Sequence, residues 1–358
     1  PDELLRRVAA QLRDSVRSHD TVARTGGDEF TILIEDLTDR RALDAVFKRI
    51  RNALTVRFAW DANTVDVALS AGAAVAPLHG VSERDLTAAA DLALYHMKEE
   101  QGASLALYEP SFGEAAQERN RVIADARAAL IEGKIVPHYQ PQVDIASGRV
   151  VGVEALARWT REDTILCASE FADALHDHDI GPMIGQAVVE RALMEIAALN
   201  HGRRDKIALS VNASAGELLR NEFLERVGRL APDTAERGPI TIELTEDVIL
   251  DDPKGVLSEA MRRVGRDSAV SFSLDDFGTG YGSLVHITSL PISEVKVDRR
   301  FVAGLETDPQ KGKIIKGILD VARSLKVRVV LEGVETREQA EMINALGGRY
   351  VQGFYYAR

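Results

Sequence analysis

Acidic and amide side chains recur at the ends of short apolar segments in the second two-thirds of the chain. Each apolar segment has the length of a β-strand, and a helical stretch follows it. The intervals between the end residues, 20 to 58 residues, are those of strand–helix units. The end residues are Glu154, Asn212, Glu243, Asp275 with Asp276, Lys296 with Asp298, Glu332 and Gln352.

If these segments lie side by side, their carboxylates share one mouth and repel one another. Two unit charges 4 Å apart repel by about 4 kcal/mol at an effective dielectric of 20, so cations must neutralise the cluster. Oxygen ligands without His or Cys favour Mg²⁺ or Mn²⁺ over Zn²⁺. The number of carboxylates suits two ions, and two such ions clamp the attacking and leaving oxygens of a phosphoryl displacement. These residues alone predict a metal-dependent phosphodiesterase.

Each of these residues also has an ordinary structural interpretation. A single Asp or Glu at a strand end is often a helix N-cap or a solvated loop residue, although recurrence at six strand ends argues against this. Lys296 and Asp298 fit either a surface ion pair or a lysine that positions the nucleophilic water with Asp298 assisting. Segment 276–280 fits a simple glycine turn or a loop that lets metal and ligand approach closely.

The elements that position these residues alternate between strand and helix from about residue 135. Such alternation predicts a parallel sheet with right-handed crossovers. Seven or eight units in roughly 225 residues close most simply into a (β/α)8 TIM-like barrel, whose active site lies at the C-terminal strand ends. An open doubly wound sheet is the alternative, although no GxGxxG turn follows the first strand.

Composition indicates a folded chain of about two domains. Of its 358 residues, 45% are hydrophobic and 28% charged, close to globular averages. The net charge of −12 disfavours DNA, long RNA and anionic membranes as partners. The single cysteine, Cys167, cannot form an internal disulfide, and no apolar run is long enough to span a bilayer. We expect a cytoplasmic location, with any sensor or membrane segment lying upstream in a longer protein.

Three regions are predicted along the chain. Residues 1–111 resemble part of an α/β domain, 112–131 form a helical connector, and 132–358 form the barrel. The connector is interpreted as an amphipathic linker, with a helix that transmits a signal as the alternative.

Motifs in the second region resemble those of the EAL domain family, from about residue 117 to residue 358. They are YQP at 139–141, VEALARW at 153–159, VNAS at 211–214, ELTE at 243–246, DDFGTG at 275–280, KVD at 296–298, EGVET at 332–336 and QG at 352–353. The resemblance implies a TIM-like barrel that hydrolyses cyclic di-GMP to linear pGpG with two Mg²⁺ or Mn²⁺ ions.

The same resemblance implies a role for each motif residue. Lys296 would orient the water, and Glu332, Asp276 and Asp298 complete the expected catalytic group. Glu246 and Glu335 would support the loop beside the metals and the dimer contact. The expected metal ligands are Glu154, Asn212, Glu243, Asp275, Asp276 and Glu332. The expected ligand contacts are Gln140, Leu156, Arg158 and Gln352, of which the arginine suits a phosphate.

The first region carries the string RTGGDEF at 24–30, which resembles the GGDEF diguanylate cyclase family. SAG at 70–72 and ADLALY at 90–95 match later segments of that family. The resemblance implies that the glycines of the hairpin approach a GTP phosphate and that Asp28 or Glu29 works in the metal and catalytic site. The motif residues are Gly26, Gly27, Asp28, Glu29 and Phe30.

Arg17 and Asp20, five residues before the motif, resemble the RxxD inhibitory site for cyclic di-GMP. A surface ion pair is the alternative interpretation.

Two departures predict that this region makes no cyclic di-GMP. The chain begins in what resembles the middle of the family's domain, and Ala103 and Ser104 stand where Arg and Asn are usual. We therefore expect a cyclic di-GMP phosphodiesterase with a partial, regulatory GGDEF domain, for which GTP is a candidate ligand. A homodimer through the barrel is a candidate assembly.

Two other functions remain as alternatives. A catalytically silent cyclic di-GMP receptor is the first, but the complete set of expected metal ligands favours the enzyme. A bifunctional cyclase and phosphodiesterase in a longer protein is the second.

Overall fold

A computed structural model describes residues 2–37, 39–54, 58–60, 63–65, 69–99, 105–162, 164–213, 217, 223, 227, 238–245, 255–267, 270–278 and 290–357. The chain divides into two compact units, Pro1–Asn120 and Arg121–Arg358. Within the described ranges, no helix is long and apolar enough to cross a bilayer.

The first unit contains short strands and three helices that precede a long fourth helix. Its described elements are α1 (Asp2–Asp14), β1 (Thr21–Gly26), β2 (Glu29–Leu33), α2 (Arg40–Leu54), β3 (Phe58–Trp60), β4 (Asn63–Val65), β5 (Ala71–Ala73), α3 (Glu83–Glu99), β6 (Leu105–Leu107) and the first half of α4 (Pro110–Ile131), which continues into the second unit. Strands β1 and β2 form an antiparallel hairpin, and β5 pairs in parallel with β6. Apolar residues of α1 and α2, including Leu12 and Leu54, form a small core.

The second unit alternates strands and helices. Its elements are β7 (Ile135–Asp144), β8 (Arg149–Arg161), β9 (Thr164–Cys167), a 3₁₀ turn (Ala168–Phe171), α5 (Ala172–His176), α6 (Ile180–Asn200), β10 (Ala208–Asn212), β11 (Ile240–Thr245), α7 (Val256–Asp267), β12 (Val270–Phe277), β13 (Ile292–Val297), α8 (Arg299–Val302), α9 (Pro309–Leu325), β14 (Arg328–Leu331), α10 (Arg337–Ala345) and β15 (Tyr350–Gln352).

Eight of these strands close into a barrel. Strands β10 to β15 follow in chain order, β7 joins β15 to β8, and β8 pairs with β10 to complete the circle. The predicted TIM-like barrel is thus confirmed, and the open doubly wound sheet is wrong.

One strand departs from the expected all-parallel arrangement. Strand β7 runs antiparallel to both β8 and β15. The physical reason is the short connection from Asp144 to Arg149, because a parallel pair needs a crossover of about a dozen residues or more.

Strand alternation separates an apolar outer face from a polar interior. In β13, Val295 and Val297 belong to the cores packed beneath the surrounding helices, whereas Glu294 and Lys296 belong to the other face. Successive strand side chains point to opposite faces, so the polar positions of neighbouring strands converge inside the barrel. This alternation brings the predicted site residues together.

Candidate active site

The ammonium group of Lys296 lies at the centre of the predicted site. Its Nζ is 2.8 Å from Glu243 Oε2, 2.8 Å from Glu332 Oε1, 3.1 Å from Glu154 Oε2 and 3.3 Å from Asp275 Oδ1. The Lys296 side chain is only 1% exposed. The surface ion pair considered for Lys296 is therefore wrong, because this lysine is a buried cation shared by four carboxylates.

Four strands deliver those carboxylates. Glu154 lies in β8, Glu243 in β11 and Asp275 in β12, and Glu332 follows β14 directly. Glu154 is expected at the end of its strand, but β8 continues beyond it to Arg161. The continuation arises because β8 pairs antiparallel with β7 and β9 beyond that position.

Two amide side chains fix the Glu154 carboxylate. Asn212 Nδ2 donates to its Oε1 at 2.8 Å, and Gln352 Nε2 donates to its Oε2 at 2.6 Å. Gln352 Nε2 also donates to Gln140 Oε1 at 2.8 Å. Burial raises the pKa of Glu154, but the charge of Lys296 and these hydrogen bonds outweigh it and lower the pKa below its usual value.

The other carboxylates are not fully compensated by one lysine. Burial raises the pKa of Glu243 well above its usual value, and the charges of Glu154 and Asp275 add to the shift. Burial, together with the same two charges, raises the pKa of Glu332 to about 7. The pKa of Lys296 is also well above its usual value, because the carboxylates outweigh the opposing effect of burial. The four carboxylates around Lys296, here called the carboxylate ring, thus keep an excess of negative charge.

Asp276 reaches the same mouth through an unusual backbone conformation. Its φ of 54° lies in the left-handed region, and its N–H donates to Asp275 Oδ1 at 2.9 Å. Burial and the neighbouring carboxylates of Asp275 and Asp298 raise the pKa of Asp276 to about 6. Asp298 itself caps α8 by accepting the Arg300 backbone N–H at 2.8 Å, and its Oδ1 also pairs with Arg300 Nε.

The residues fit a hard divalent cation. Carboxylate oxygens of Asp275, Asp276 and Glu332 lie within 4.8 Å of one another, close enough to share an ion. Glu243 Oε1 is buried, and no residue of the described ranges forms a hydrogen bond with it. A cation is a suitable partner for such an oxygen, and oxygen-only donors favour Mg²⁺ or Mn²⁺. Three of the six predicted ligands form this cluster. Glu154 and Glu243 are linked to it through the Lys296 ammonium, and Asn212 is linked through Glu154.

The predicted ligand contacts lie on neighbouring strands. Leu156 and Arg158 follow Glu154 along β8 and are half-buried, and Arg158 Nη1 donates to the Ala157 carbonyl at 2.9 Å.

Of the two predicted loop-supporting residues, Glu335 is exposed, and its backbone N–H donates to Gln339 Oε1 at 2.8 Å. Glu246, the other predicted loop-supporting residue, lies outside the described residues.

In the first unit, the GGDEF motif forms the turn of the β1–β2 hairpin. Gly27 adopts a φ of 43°, and the Arg24 guanidinium closes the turn by donating to the Gly27 carbonyl at 2.9 and 2.6 Å. Gly26, Asp28 and Glu29 are exposed, whereas Phe30 packs against the α1–α2 core.

The predicted inhibitory pair has a defined backbone role. Asp20 accepts the backbone N–H of Arg17 at 2.8 Å and that of Glu35 at 3.2 Å. Its side chain is 1% exposed. The carboxylate of Asp20 therefore holds the turn before β1.

The barrel interior contains a second polar layer, whose residues are not among the predicted site residues. Four of its five residues lie two positions from a predicted site residue, as Glu294 does from Lys296, and Arg328 lies four positions from Glu332; this even spacing is the signal that could have revealed the layer. The layer consists of Gln142, Ser210, Ser273, Glu294 and Arg328.

Comparison with known proteins gives two family matches. Residues 123–358 match the model of the EAL domain, and residues 1–104 match that of the diguanylate cyclase GGDEF domain.

Two relatives come from Pseudomonas aeruginosa. The bifunctional diguanylate cyclase/cyclic di-GMP phosphodiesterase MucR is 32% identical over 361 residues, which cover 100% of this chain and 52% of that protein. The cyclic di-GMP phosphodiesterase NbdA is 30% identical over 362 residues, covering 100% of this chain and 46% of that protein. The chain thus spans about half the length of these relatives.

Solved structures agree with the barrel assignment. The MucR phosphodiesterase in complex with cyclic di-GMP has a TM-score of 0.60 and 30% identity, covering 66% of this chain and 96% of that one. An EAL domain protein from Listeria monocytogenes has a TM-score of 0.56 and 29% identity, covering 64% and 90%. Since the EAL domain model matches well over half of the sequence, this chain belongs to the EAL domain family.

Proposed function

We propose that the barrel hydrolyses cyclic di-GMP to linear pGpG in a reaction that requires Mg²⁺ or Mn²⁺. The observation that carries this proposal is the ring of four carboxylates around Lys296, with Asp276 beside it. The names of MucR and NbdA, and the cyclic di-GMP complex of the MucR phosphodiesterase, support the choice of substrate.

The proposed ligands of two ions are the six oxygen donors of the ring and its edge. When bound, such ions supply a nucleophilic water at neutral pH and neutralise developing phosphate charge. Oxygens of Asp275, Asp276 and Glu332 lie within 4.8 Å of one another, and the more deeply buried Glu154 and Glu243 contact the Lys296 ammonium. Asn212 contributes by orienting Glu154.

Lys296 has a restricted chemical role in this proposal. Its pKa lies well above the usual value, so the side chain stays an ammonium and donates hydrogen bonds without accepting a proton. It therefore orients the attacking water. The proton of that water must pass to a carboxylate, and Asp276 and Glu332 have pKa values raised to about 6 and about 7. Asp298 assists by its contact with Asp276.

Substrate contacts are proposed along β8 and at the β7–β15 join. The Arg158 guanidinium suits a phosphate of the substrate, because a charge-assisted bond is stronger than a neutral one. Leu156 offers an apolar contact beside it. Gln140 and Gln352, already linked to each other, lie next to Glu154 and would contact the ligand there.

For the first unit we propose regulation without synthesis. GTP is the candidate ligand of the motif hairpin. The chain as a whole is proposed to act in the cytoplasm. A homodimer through the barrel is its proposed assembly. MucR, which matches along the whole chain, is named as bifunctional. Cyclic di-GMP formed from GTP by this chain would contradict the proposed lack of synthesis, and equal phosphodiesterase rates with and without GTP would contradict the proposed regulatory role.

One experiment tests the proposed activity. The chain is incubated with cyclic di-GMP and Mg²⁺ or Mn²⁺, and nucleotides are separated by chromatography. We expect pGpG to form and excess EDTA to stop it. Turnover that persists in EDTA would contradict the metal requirement. Binding of cyclic di-GMP without turnover would instead identify a silent receptor.

A further inference from the structure

A partly buried ion pair lies one layer below the candidate active site. Arg328 Nε is 3.1 Å from Glu294 Oε2, and the two residues are register partners across β13 and β14. Arg328 Nη2 also donates to Gln142 Oε1 at 3.2 Å, and Gln142 Nε2 donates to Ser210 Oγ at 3.4 Å. These contacts link four strands across the barrel interior.

This layer is directly continuous with the carboxylate ring. Glu294 lies two residues before Lys296 in β13, so both side chains point to the barrel interior. Ser210 stands in the same relation to Asn212 in β10. The Lys296 ammonium acts electrostatically on Glu294, so a change of charge at Glu294 also acts on Lys296.

The two members of the ion pair differ in their access to water. The Glu294 side chain is 5% exposed, whereas the Arg328 side chain is 30% exposed and its guanidinium lies 4.1 Å from the centre of the Tyr350 ring. Loss of Arg328 would leave a carboxylate buried without its charge partner. Loss of Glu294 would leave a guanidinium that water and the Tyr350 side chain can still stabilise.

Charge balance gives this pair a consequence for the site. Lys296 already pairs with four carboxylates. Burial raises the pKa of Glu294, and the charges of Arg328 and Lys296 oppose that rise, so without Arg328 an ionised Glu294 would compete with the four carboxylates for Lys296. We infer that Arg328 is a positioning residue, which neutralises Glu294 and so keeps the Lys296 ammonium directed towards the carboxylate ring. This inference rests on the proposed phosphodiesterase function for its kinetic consequences.

Three variants isolate the charge from the shape. Arg328→Gln removes the cation, Glu294→Gln removes the anion, and the double variant removes both while keeping side chains of similar size. We expect Arg328→Gln to lower kcat about tenfold or more, within the range of coupling between contacting residues. Glu294→Gln should have a smaller effect. The double variant should recover most of the lost kcat, with KM little changed throughout.

Binding of Mn²⁺, followed by the EPR signal of the free ion, gives a second readout. In Arg328→Gln the lysine is drawn towards Glu294, so the ring loses a competing cation and should bind Mn²⁺ severalfold more tightly. The double variant should return to the affinity of the parent chain. If Arg328→Gln acted only through a loss of packing, it would weaken Mn²⁺ binding. The added Glu294→Gln substitution of the double variant would not restore that binding.

Arg149→Gln serves as the matched control. Arg149 begins β8 and forms an exposed ion pair with Asp205, so its replacement should change neither kcat nor Mn²⁺ affinity. If Arg328→Gln does not fold, Arg328→Lys and the double variant decide, and each should keep kcat within about threefold of the parent. A larger loss in either would overturn the inference.

Two further outcomes would also overturn it. One is a double variant as slow as Arg328→Gln, and the other is parental kcat and Mn²⁺ affinity in Arg328→Gln. If the parent chain does not hydrolyse cyclic di-GMP, the proposed function fails by itself. The comparison of Mn²⁺ affinities then decides the role of Arg328 without any activity measurement.

Discussion

Lys296 Nζ lies 2.8 Å from Glu243 Oε2, and both side chains are almost completely buried inside the barrel. The second oxygen of that carboxylate, Oε1, finds no hydrogen-bond partner within the described ranges. The lysine thus stabilises the ring without satisfying it. Metal-free protein should therefore carry an electrostatic cost that bound cations relieve.

Glu154→Gln and Glu243→Gln should change stability in opposite directions. The pKa of Glu154 is lowered, so its charged form stabilises the fold, and its loss should reduce the melting temperature of metal-free protein. The pKa of Glu243 is raised, so removing its charge should maintain or increase that temperature. Both variants should lose activity by more than about 100-fold, since even outer partners of metal ligands cost 10- to 100-fold.

Differential scanning fluorimetry in EDTA and pGpG formation with Mn²⁺ measure these two effects. Glu341→Gln, on an exposed ion pair of α10, is the control and should change neither quantity. Equal destabilisation by Glu154→Gln and Glu243→Gln would show that the two carboxylates are not distinguished by their surroundings.

Lys296→Met should abolish hydrolysis and make stability depend on cations. Removing one partner of a buried ionic cluster costs about 3–5 kcal/mol. At about 2–4 °C for each kcal/mol in a domain of this size, the melting temperature in EDTA should fall by roughly 10 °C. Mn²⁺ should restore much of the difference, because it can replace the lost positive charge. Cyclic di-GMP binding should persist, as measured by calorimetry, and normal hydrolysis by this variant would refute the role given to Lys296.

Metal-free protein should lose stability as pH rises through the pKa values of the raised carboxyl groups. Those of Asp276 and Glu332 are about 6 and about 7 in the folded chain, above the ordinary values of 3.8 and 4.5. The folded state therefore holds these protons more tightly than the unfolded state, and the resulting stability disappears as the groups ionise. Melting temperatures in EDTA should decline between pH 5 and pH 8.

Two comparisons check the origin of that decline. Saturating Mg²⁺ should flatten the profile, because the ion stabilises the ionised ring. Glu332→Gln should flatten it in EDTA, since one of the titrating groups is gone. A profile that keeps its slope in both cases would assign the pH dependence to other groups.

The first unit should form no cyclic di-GMP from GTP and Mg²⁺, because phosphoryl transfer requires groups positioned and charged to receive the substrate. Ala103 and Ser104 stand where the diguanylate cyclase family usually has Arg and Asn. Gly27→Val should disturb the motif hairpin, since Gly27 has a φ of 43°, whereas Arg40→Gln, on an exposed ion pair of α2, serves as the control. Chromatography of the products tests synthesis. A change in pGpG formation on adding GTP, lost in Gly27→Val alone, would support regulation through the hairpin.

Local patterns in the sequence were sufficient to predict the barrel and most of its site. Polar residues at every second position of a strand must share one face, and seven strand–helix units in succession leave few topologies. Glu154, Glu243, Asp275 and Glu332 could therefore be assigned to one mouth before any coordinates were known. The short link between Asp144 and Arg149 also indicates that β7 runs antiparallel to β8. The expectation of an all-parallel sheet does not take this link into account.

Tertiary structure alone decided which of these groups touch. Lys296 and Glu154 are 142 residues apart, and their 3.1 Å contact depends on the closure of the whole barrel. The same closure pairs Glu294 with Arg328 and gives Glu154 and Glu243 opposite pKa shifts. Alternation along one strand specifies a face, but the distances between charges on different strands, and hence their energies, arise only when the strands meet.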